Sequence, residues 1–246
     1  MFMRRMPLFM PACAVLLIMI FFSVLQGTAV SSENPCSPCH QDLIQPGTVA
    51  HPALSFGCLV CHDPVPGKKH PHERGSVLLK KGVPDLCYTC HDESKFRGNY
   101  VHAPISKGDC TSCHMPHASG ASNLLQKERP DLCFICHKEK NFSREYTHSV
   151  AISGCGKRCH NPHANANQYL LPQRINELCI GCHSAQETGM HIVTLPGGRI
   201  HPIRGVPDPR VPTKELSCAS CHNPHSAKYS KLYKSRKNCR RCHKLY

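Results

Sequence analysis

Hydrophobic residues are unevenly distributed along the chain, with one long apolar run near the N-terminus and only short groups after it. The run extends from about Met6 to Leu25 and follows a pair of arginines. Small residues occupy positions 27–29, so the pattern predicts a signal peptide, residues 1–29, with cleavage before Val30. An uncleaved membrane anchor is the alternative, because about twenty apolar residues can just span a bilayer. We predict export.

The rest of the chain contains no long periodic element. No segment alternates polar and apolar residues far enough to predict a sheet. Helical turns are expected near Pro84, Pro130 and Asn176, where proline or a capping residue precedes a short apolar group. The pattern therefore predicts mainly coil with short α-helices and little or no β structure.

Composition argues against an ordinary hydrophobic core. Only 40% of the residues are hydrophobic, tryptophan is absent and there are 21 prolines, whereas cysteine and histidine each occur 19 times. Protein interiors are normally filled by large aliphatic and aromatic side chains. Something other than side chains must therefore fill this interior. Long coiled coils, transmembrane bundles and ordinary α/β enzymes are excluded.

After the apolar run, every cysteine belongs to a pair, and each pair is followed directly by histidine. Eight pairs have the spacing Cys-x-x-Cys-His, and the sixth pair along the chain has one extra residue between its cysteines. The paired cysteines are Cys36 and Cys39, Cys58 and Cys61, Cys87 and Cys90, Cys110 and Cys113, Cys133 and Cys136, Cys155 and Cys159, Cys179 and Cys182, Cys218 and Cys221, and Cys239 and Cys242. The histidines that follow them, here called the motif histidines, are His40, His62, His91, His114, His137, His160, His183, His222 and His243.

This spacing suits covalent attachment of haem. Residues i, i+3 and i+4 share one face of a helical turn, so two thiols can add to the haem vinyl groups while the histidine points at the iron. The Cys-x-x-Cys-His pattern is accordingly typical of c-type haem. Zinc sites and disulfide frameworks are the alternatives, but neither needs a histidine after every pair. We predict nine covalently bound c-type haems, including one at the longer sixth motif.

The motifs form a larger repeat. A segment with one haem, residues 30–49, is followed by four repeats of two haems each, at residues 50–98, 99–143, 144–188 and 189–246. A leading histidine opens each repeat, and in three repeats the first motif continues as Cys-His-x-Pro-His, which adds a trailing histidine. The leading histidines are His51, His102, His148 and His201, and the trailing histidines are His117, His163 and His225.

This arrangement resembles the doubled C-x-x-C-H family of multihaem cytochromes c. The resemblance rests on motifs such as Pro130-Asp131-Leu132-Cys133 and Cys221-His222-Asn223-Pro224-His225, and it covers nearly the whole exported chain. It implies a fold templated by haem and built from two-haem repeats. The first repeat departs from the pattern, because an insertion after His62 displaces its trailing histidine to His72.

The histidines outside the motifs are numerous enough to supply every haem iron with a second axial ligand. Ten remain for nine irons, so each iron can receive a second imidazole. The candidates that recur in register are His51, His72, His102, His117, His148, His163, His201 and His225. His70 and His191 have no place in the repeat, and one of them is expected to serve the isolated first haem. Met115 and Met190 are expected to pack rather than to ligate iron.

The formal charge of +14 first suggests nucleic-acid binding, but haem changes this interpretation. Each haem carries two propionates, which would neutralise much of the basic excess. Residues 228–246 are rich in lysine and arginine and contain no acid. They are interpreted either as partners of propionates and solvent or as a docking face for an acidic redox protein. We expect no nucleic-acid partner.

The sequence favours an exported protein that relays or stores electrons, with no catalytic residue. Its expected partners are other redox proteins: cytochromes, or membrane complexes linked to quinones or to the outer membrane. A multihaem reductase acting on an oxidised nitrogen or sulfur compound is the alternative, and it would need one open iron. The periplasm is the expected location. The sequence leaves open the cell surface, secretion, and assembly into an oligomer or filament.

Overall fold

The computed structural model describes residues 36, 38–153, 155–156, 158–187, 191, 197–198 and 200–243. The chain divides into two compact units, Met1–Cys39 and His40–Tyr246. In the first unit the description is confined to a turn in which the N–H of Cys39 donates to the carbonyl of Cys36 at 3.2 Å. The predicted signal peptide lies outside the described residues. None of the helices within the described residues is long and apolar enough to cross a membrane.

The helices of the second unit are short. Six α-helices of four to six residues are described: α1 Asp85–Tyr88, α2 Ala103–Ser106, α3 Asp131–Phe134, α4 Ser149–Ser153, α5 Ile175–Ile180 and α6 Cys218–Cys221. Helices α1, α3 and α5 begin where the sequence predicts helical turns, and each carries the first cysteine of a motif. Single 3₁₀ turns lie at Gln41–Leu43, Pro52–Phe56, Cys58–Val60, Glu93–Phe96, Cys110–Ser112, Ser122–Leu124, Glu139–Asn141, Gln168–Leu170, Ser184–Gln186, Ser230–Leu232 and Cys239–Arg241.

The expectation of little or no β structure is only partly met. Ten short strands pair into five antiparallel ladders of two strands each within the described residues. The strands are β1 Val49–Ala50, β2 His62–Pro64, β3 Val77–Leu79, β4 Tyr100–Val101, β5 Ala118–Ser119, β6 Tyr146–Thr147, β7 Ala164–Asn165, β8 Pro207–Asp208, β9 Val211–Glu215 and β10 Ser226–Ala227. Most span two or three residues, which is too short for an alternating pattern to show in the sequence.

Three of the ladders join successive repeats. β1 pairs with β5, β4 with β7, and β6 with β10. In each case the strand beside a leading histidine pairs with the strand that follows the trailing histidine of the next repeat. The backbone N–H of His51 also donates to the carbonyl of His117 at 2.7 Å, and His102 and His148 make the same bond to His163 and His225 at 2.9 and 3.0 Å. Each repeat is therefore fastened to the next.

Very little apolar surface is buried by the polypeptide itself. The buried apolar side chains among the described residues are three alanines and three leucines: Ala121, Leu125, Ala164, Leu171, Leu216 and Ala227. Several of the buried positions lie on the connecting ladders, including Ser119, Ala164, Ser226 and Ala227. Large apolar side chains remain exposed, and Phe56 is 77% exposed. A polypeptide of this kind needs another apolar body to pack against.

The fourth repeat contains an inserted hairpin, formed by β8 and β9, which is held by one buried amide. The side chain of Asn176 donates to the carbonyls of Ile203 and Leu216 at 2.9 and 3.3 Å. Its oxygen accepts the N–H of Cys218 at 2.9 Å. Because Asn176 belongs to α5 of the third repeat, this side chain attaches the insertion to the repeat before it.

Candidate haem-binding sites

The motif histidines face other histidine rings. Eight such pairs are present, with ring centroids 5.9 to 6.2 Å apart. The pairs are His40 with His70, His62 with His117, His91 with His51, His114 with His163, His137 with His102, His160 with His225, His183 with His148, and His243 with His201. Every leading and every trailing histidine therefore meets a motif histidine.

The spacing of these rings fits one metal atom held between them. With a metal–nitrogen bond of about 2 Å on each side and roughly 1 Å from nitrogen to ring centre, two axial imidazoles have centroids about 6 Å apart. Groups of three or more His, Cys, Asp or Glu side chains that could hold a metal on their own are absent from the described residues. The histidines come in twos, which suits the two axial positions of haem iron.

The remaining motif histidine, His222 of the eighth motif, lies near His191. Burial lowers the pKa of His191, and the neighbouring rings of His222 and His201 lower it further. The Nδ1 atom of His191 is buried without a hydrogen-bond partner. The ring of Tyr233 is stacked on His222 with centroids 5.0 Å apart. The structure thus brings His191 to the one motif histidine that no repeat histidine faces.

The first repeat places its two extra histidines differently. His70 faces His40 with centroids 5.9 Å apart, and its Nδ1 lies 3.0 Å from the hydroxyl of the buried Ser76. His72 is exposed, and within the described residues no histidine ring lies against it. The displaced trailing position therefore corresponds to His70 in space, although the sequence pattern favours His72. Met115 is 43% exposed, and Met190 lies outside the described residues.

A simple rule describes which repeats supply the facing rings. The second motif histidine of a repeat meets the leading histidine of the same repeat, as His137 meets His102. The first motif histidine meets the trailing histidine of the next repeat, as His114 meets His163. A site therefore either closes within its own repeat or depends on the one that follows. Sequence reasoning identified both sets of histidines but missed this alternation.

Comparison with known families agrees with this geometry. Four consecutive segments match the family model for the doubled CXXCH motif: residues 51–96, 102–142, 148–188 and 211–245. The chain belongs to this family. It is a multihaem c-type cytochrome, whose paired motifs bind haem covalently. Each matched segment lies within one of the four predicted repeats. No curated protein matches the chain.

In this doubled CXXCH protein, three leading histidines are oriented by proline carbonyls. Nδ1 of His51 lies 3.0 Å from the carbonyl of Pro116, and His102 and His148 make equivalent contacts to Pro162 and Pro224 at 2.9 and 3.1 Å. A histidine that donates from Nδ1 presents Nε2 as the ligand atom, and such partners fix the ring orientation. The proline of each Cys-His-x-Pro-His segment therefore serves the preceding repeat. The motif itself was the signal that could have revealed this.

Three motif histidines are oriented by strained backbone. His114, His160 and His222 each place Nδ1 2.7 to 3.0 Å from a carbonyl nine residues later. The residues that supply these carbonyls and the leucines after them all have φ between 55° and 59°: Asn123, Leu124, Tyr169, Leu170, Lys231 and Leu232. Left-handed backbone costs an L-residue roughly 1–2 kcal/mol. All the non-glycine residues with positive φ in the described chain belong to these three turns, which aim a carbonyl at the ring.

The cysteines place successive motifs beside one another. Burial raises the pKa of Cys87, and the thiols of Cys110 and Cys61 raise it further. Burial and the Cys155 and Cys113 thiols raise the pKa of Cys133 in the same way.

The later motifs continue this order. A hydrogen bond with Cys218, followed by burial, raises the pKa of Cys179. Burial raises the pKa of Cys159 and of Cys221, aided respectively by the thiols of Cys182 and Cys242. From the second motif to the ninth, each motif thus neighbours the next one in the sequence.

The trailing histidines lie in surroundings that are dry enough to shift their pKa values. Burial lowers the pKa of His117, His163 and His225, and the histidines around them add to this effect. The ring of Phe96 contacts His163 edge-on at 5.0 Å, and Phe142 contacts His225 in the same way at 4.8 Å. The neutral imidazole is the form that binds metal. These surroundings therefore favour the ligating form.

Proposed function

We propose that this multihaem cytochrome is an exported protein with nine haems that relays or stores electrons between redox partners. The observation that carries the proposal is the succession of motifs, each beside the next from Cys58 to Cys242. Bound haem supplies an iron that takes up and releases one electron. The polypeptide's part is to hold these irons in an ordered series and to tune them through axial ligands and hydrogen bonds.

We propose that every iron is held by two histidines. The pairs of facing rings support this assignment for eight sites, and the nearness of His191 to His222 supports it for the remaining one. On this assignment His70 serves the first haem and His72 is the spare histidine. Two imidazoles favour a lower potential than histidine with methionine does. An iron closed on both sides has no position for a substrate, so we propose that the protein is not itself an enzyme.

The spectrum of the reduced holoprotein with and without carbon monoxide tests this proposal. We expect all haems to be low-spin and unreactive towards carbon monoxide. Binding at even one haem with high occupancy would reveal an open iron and favour a reductase. Intact mass of the exported protein tests the number of haems. A mass corresponding to eight haems would remove the proposed site at Cys155 and Cys159.

We further propose that the basic C-terminal segment is the docking face for an acidic redox partner. Lys228 and Lys234 line a cavity of about 190 Å³ together with Arg144 of the third repeat. None of the ion pairs found among the described residues involves a lysine or arginine of residues 228–242. These charges would attract an acidic protein to the last haem, and the attraction would weaken with salt. Electron-transfer rates to an acidic cytochrome should therefore fall as ionic strength rises, and a flat salt profile would contradict the assignment.

A further inference from the structure

The sixth motif accommodates its extra residue beside a left-handed glycine. Gly156 follows the first cysteine of this motif and has φ of 70°. Glycine adopts this conformation at little cost, whereas other residues are strained in it. The chain can therefore bulge immediately after Cys155. Such a bulge must be held in place if Cys155, Cys159 and His160 are to meet one haem.

The side chain of Arg129, from the preceding repeat, contacts Gly156. Its Nη1 donates to the carbonyl of Gly156 at 3.2 Å. A Cβ at Gly156 would lie 3.5 Å from the same Nη1 and 3.6 Å from Cδ of Pro162, which is ordinary van der Waals contact, so Arg129 and Pro162 both flank the glycine. The Nε atom of Arg129 is buried without a hydrogen-bond partner. A buried unpaired donor is costly, and the arginine keeps its position despite that cost.

Among the first three repeats, only the repeat that precedes the longer motif has an arginine at this position. Arg129 stands four residues before Cys133, the first cysteine of the motif that neighbours Cys155. The equivalent positions in the first and third repeats are Val83 and Ile175. Val83 precedes Cys87, which neighbours the motif that begins at Cys110, and Ile175 precedes Cys179, which neighbours the motif that begins at Cys218. Both of these neighbouring motifs have the ordinary spacing. The arginine and the extra residue therefore occur together.

We propose that Arg129 is a positioning residue for haem attachment at the sixth motif. In that attachment each thiol adds across a vinyl group, so that a carbon–sulfur bond forms and the thiol hydrogen goes to the other vinyl carbon. Both thiols must reach the same porphyrin edge while His160 faces the iron. Arg129 donates to the Gly156 carbonyl and thereby fixes the backbone of the longer motif, so that the extra residue does not separate the two thiols from the porphyrin edge. The inference rests on the proposed haem at Cys155 and Cys159.

Haem counting by mass spectrometry tests this inference. The native protein is measured first, and eight haems there would refute the proposed sixth site itself. With nine in the native protein, Arg129→Ala should lose one haem, and the peptide containing Cys155–His160 should be the one without it. The matched control is Lys127→Ala, which removes an exposed cation two residues away and should keep nine haems.

Two further variants separate positioning from general folding. Deleting Gly156 converts the motif to the ordinary spacing, so the deletion combined with Arg129→Ala should restore the ninth haem. Arg129→Lys retains a cation and should give intermediate occupancy at this site alone. Nine haems in Arg129→Ala would overturn the inference. Should that variant yield no holoprotein, reduced haem occupancy at the sixth motif alone in Arg129→Lys would support the inference, and full occupancy there would overturn it.

Discussion

The middle repeats and the two ends of the chain differ in which residue supplies the ring that faces a motif histidine. In the middle, His62, His114 and His160 each meet a trailing histidine from the following repeat. In the fourth repeat, His191 lies near His222 instead. Even the leading histidine changes its contact there, because Nδ1 of His201 lies 2.8 Å from the carbonyl of the adjacent Pro202. The repeat rule thus holds for the first motif histidines of the first three repeats, and the fourth repeat departs from it.

The two ends also differ from the middle in what holds them. The connecting ladders bury small side chains, and Ser226 is fully buried while donating to the carbonyl of Asn141 at 3.0 Å. The fourth repeat keeps its ladder between β6 and β10 and adds the side-chain contacts of Asn176 and one exposed ion pair between Arg204 and Glu187. Individual side chains thus supplement the backbone ladder in the fourth repeat. The comparison predicts that single substitutions act most locally near the C-terminus.

The largest effect is expected from removing a trailing histidine. His163→Ala should open the iron at His114 and also loosen the joint between the second and third repeats, giving carbon monoxide binding and a lower melting temperature. His191→Ala should open one iron with a smaller loss of stability, because it serves no joint between regular repeats. Spectra and thermal melts of both variants check this.

The exposed His72 is the control for both substitutions. His72→Ala should leave the spectrum and the melting temperature unchanged, and His70→Ala should open the first haem. If His72→Ala opened an iron and His70→Ala did not, the assignment would be wrong, and His72 would be the ligand of the first haem.

A second effect should follow from removing the buried amide of the fourth repeat. Asn176→Leu would leave two carbonyls and the N–H of Cys218 without their partner, at about 3 kcal/mol or more in total. We expect faster hydrogen exchange in β8 and β9, with the ladder between β4 and β7 unaffected. Asn99→Ala, an exposed position, is the control. Uniform loss of protection across all repeats would show that the insertion is not a local unit.

A third effect concerns acid pH. The pKa values of His117, His163 and His225 are lowered in the folded chain. The unfolded chain therefore binds more protons, and stability falls as pH drops from about 6.5 through the lower folded values. Spectrophotometric titration should show high-spin haem appearing first at the sites these histidines serve. The titration of His163→Ala should lack one of these transitions.

The smallest effect is expected in the strained turns. Lys231→Gly should relieve the left-handed strain at an exposed side chain and stabilise the protein by about 1 kcal/mol. Lys231→Pro cannot adopt this φ, so it should turn the carbonyl away from His222 and destabilise the fourth repeat. Denaturation midpoints of the two variants check this, and equal midpoints would show that the turn is not strained.

Sequence reasoning succeeded where a residue type carries the chemistry. The motifs, the doubling and the helical turns at Pro84 and Pro130 are visible because cysteine, histidine and proline have specific roles. The ladders were missed because two-residue strands such as β4 show no alternation. His70 was ranked below His72 because His70-Pro71-His72 resembles the end of a Cys-His-x-Pro-His segment. Sequence analysis offered His70 or His191 for the first haem, and the structure places His70 beside His40.

The alternation of facing rings has a consequence for how such a chain matures. In a chain delivered N-terminus first, the site at His137 can close as soon as its own repeat has emerged. The site at His114 must wait until His163 arrives, more than forty residues later. Every second cofactor would therefore spend part of biogenesis with one side uncovered. A nascent chain stalled between repeats would contain one haem iron that lacks its second axial histidine. The reactivity of that iron would distinguish incomplete molecules from mature ones.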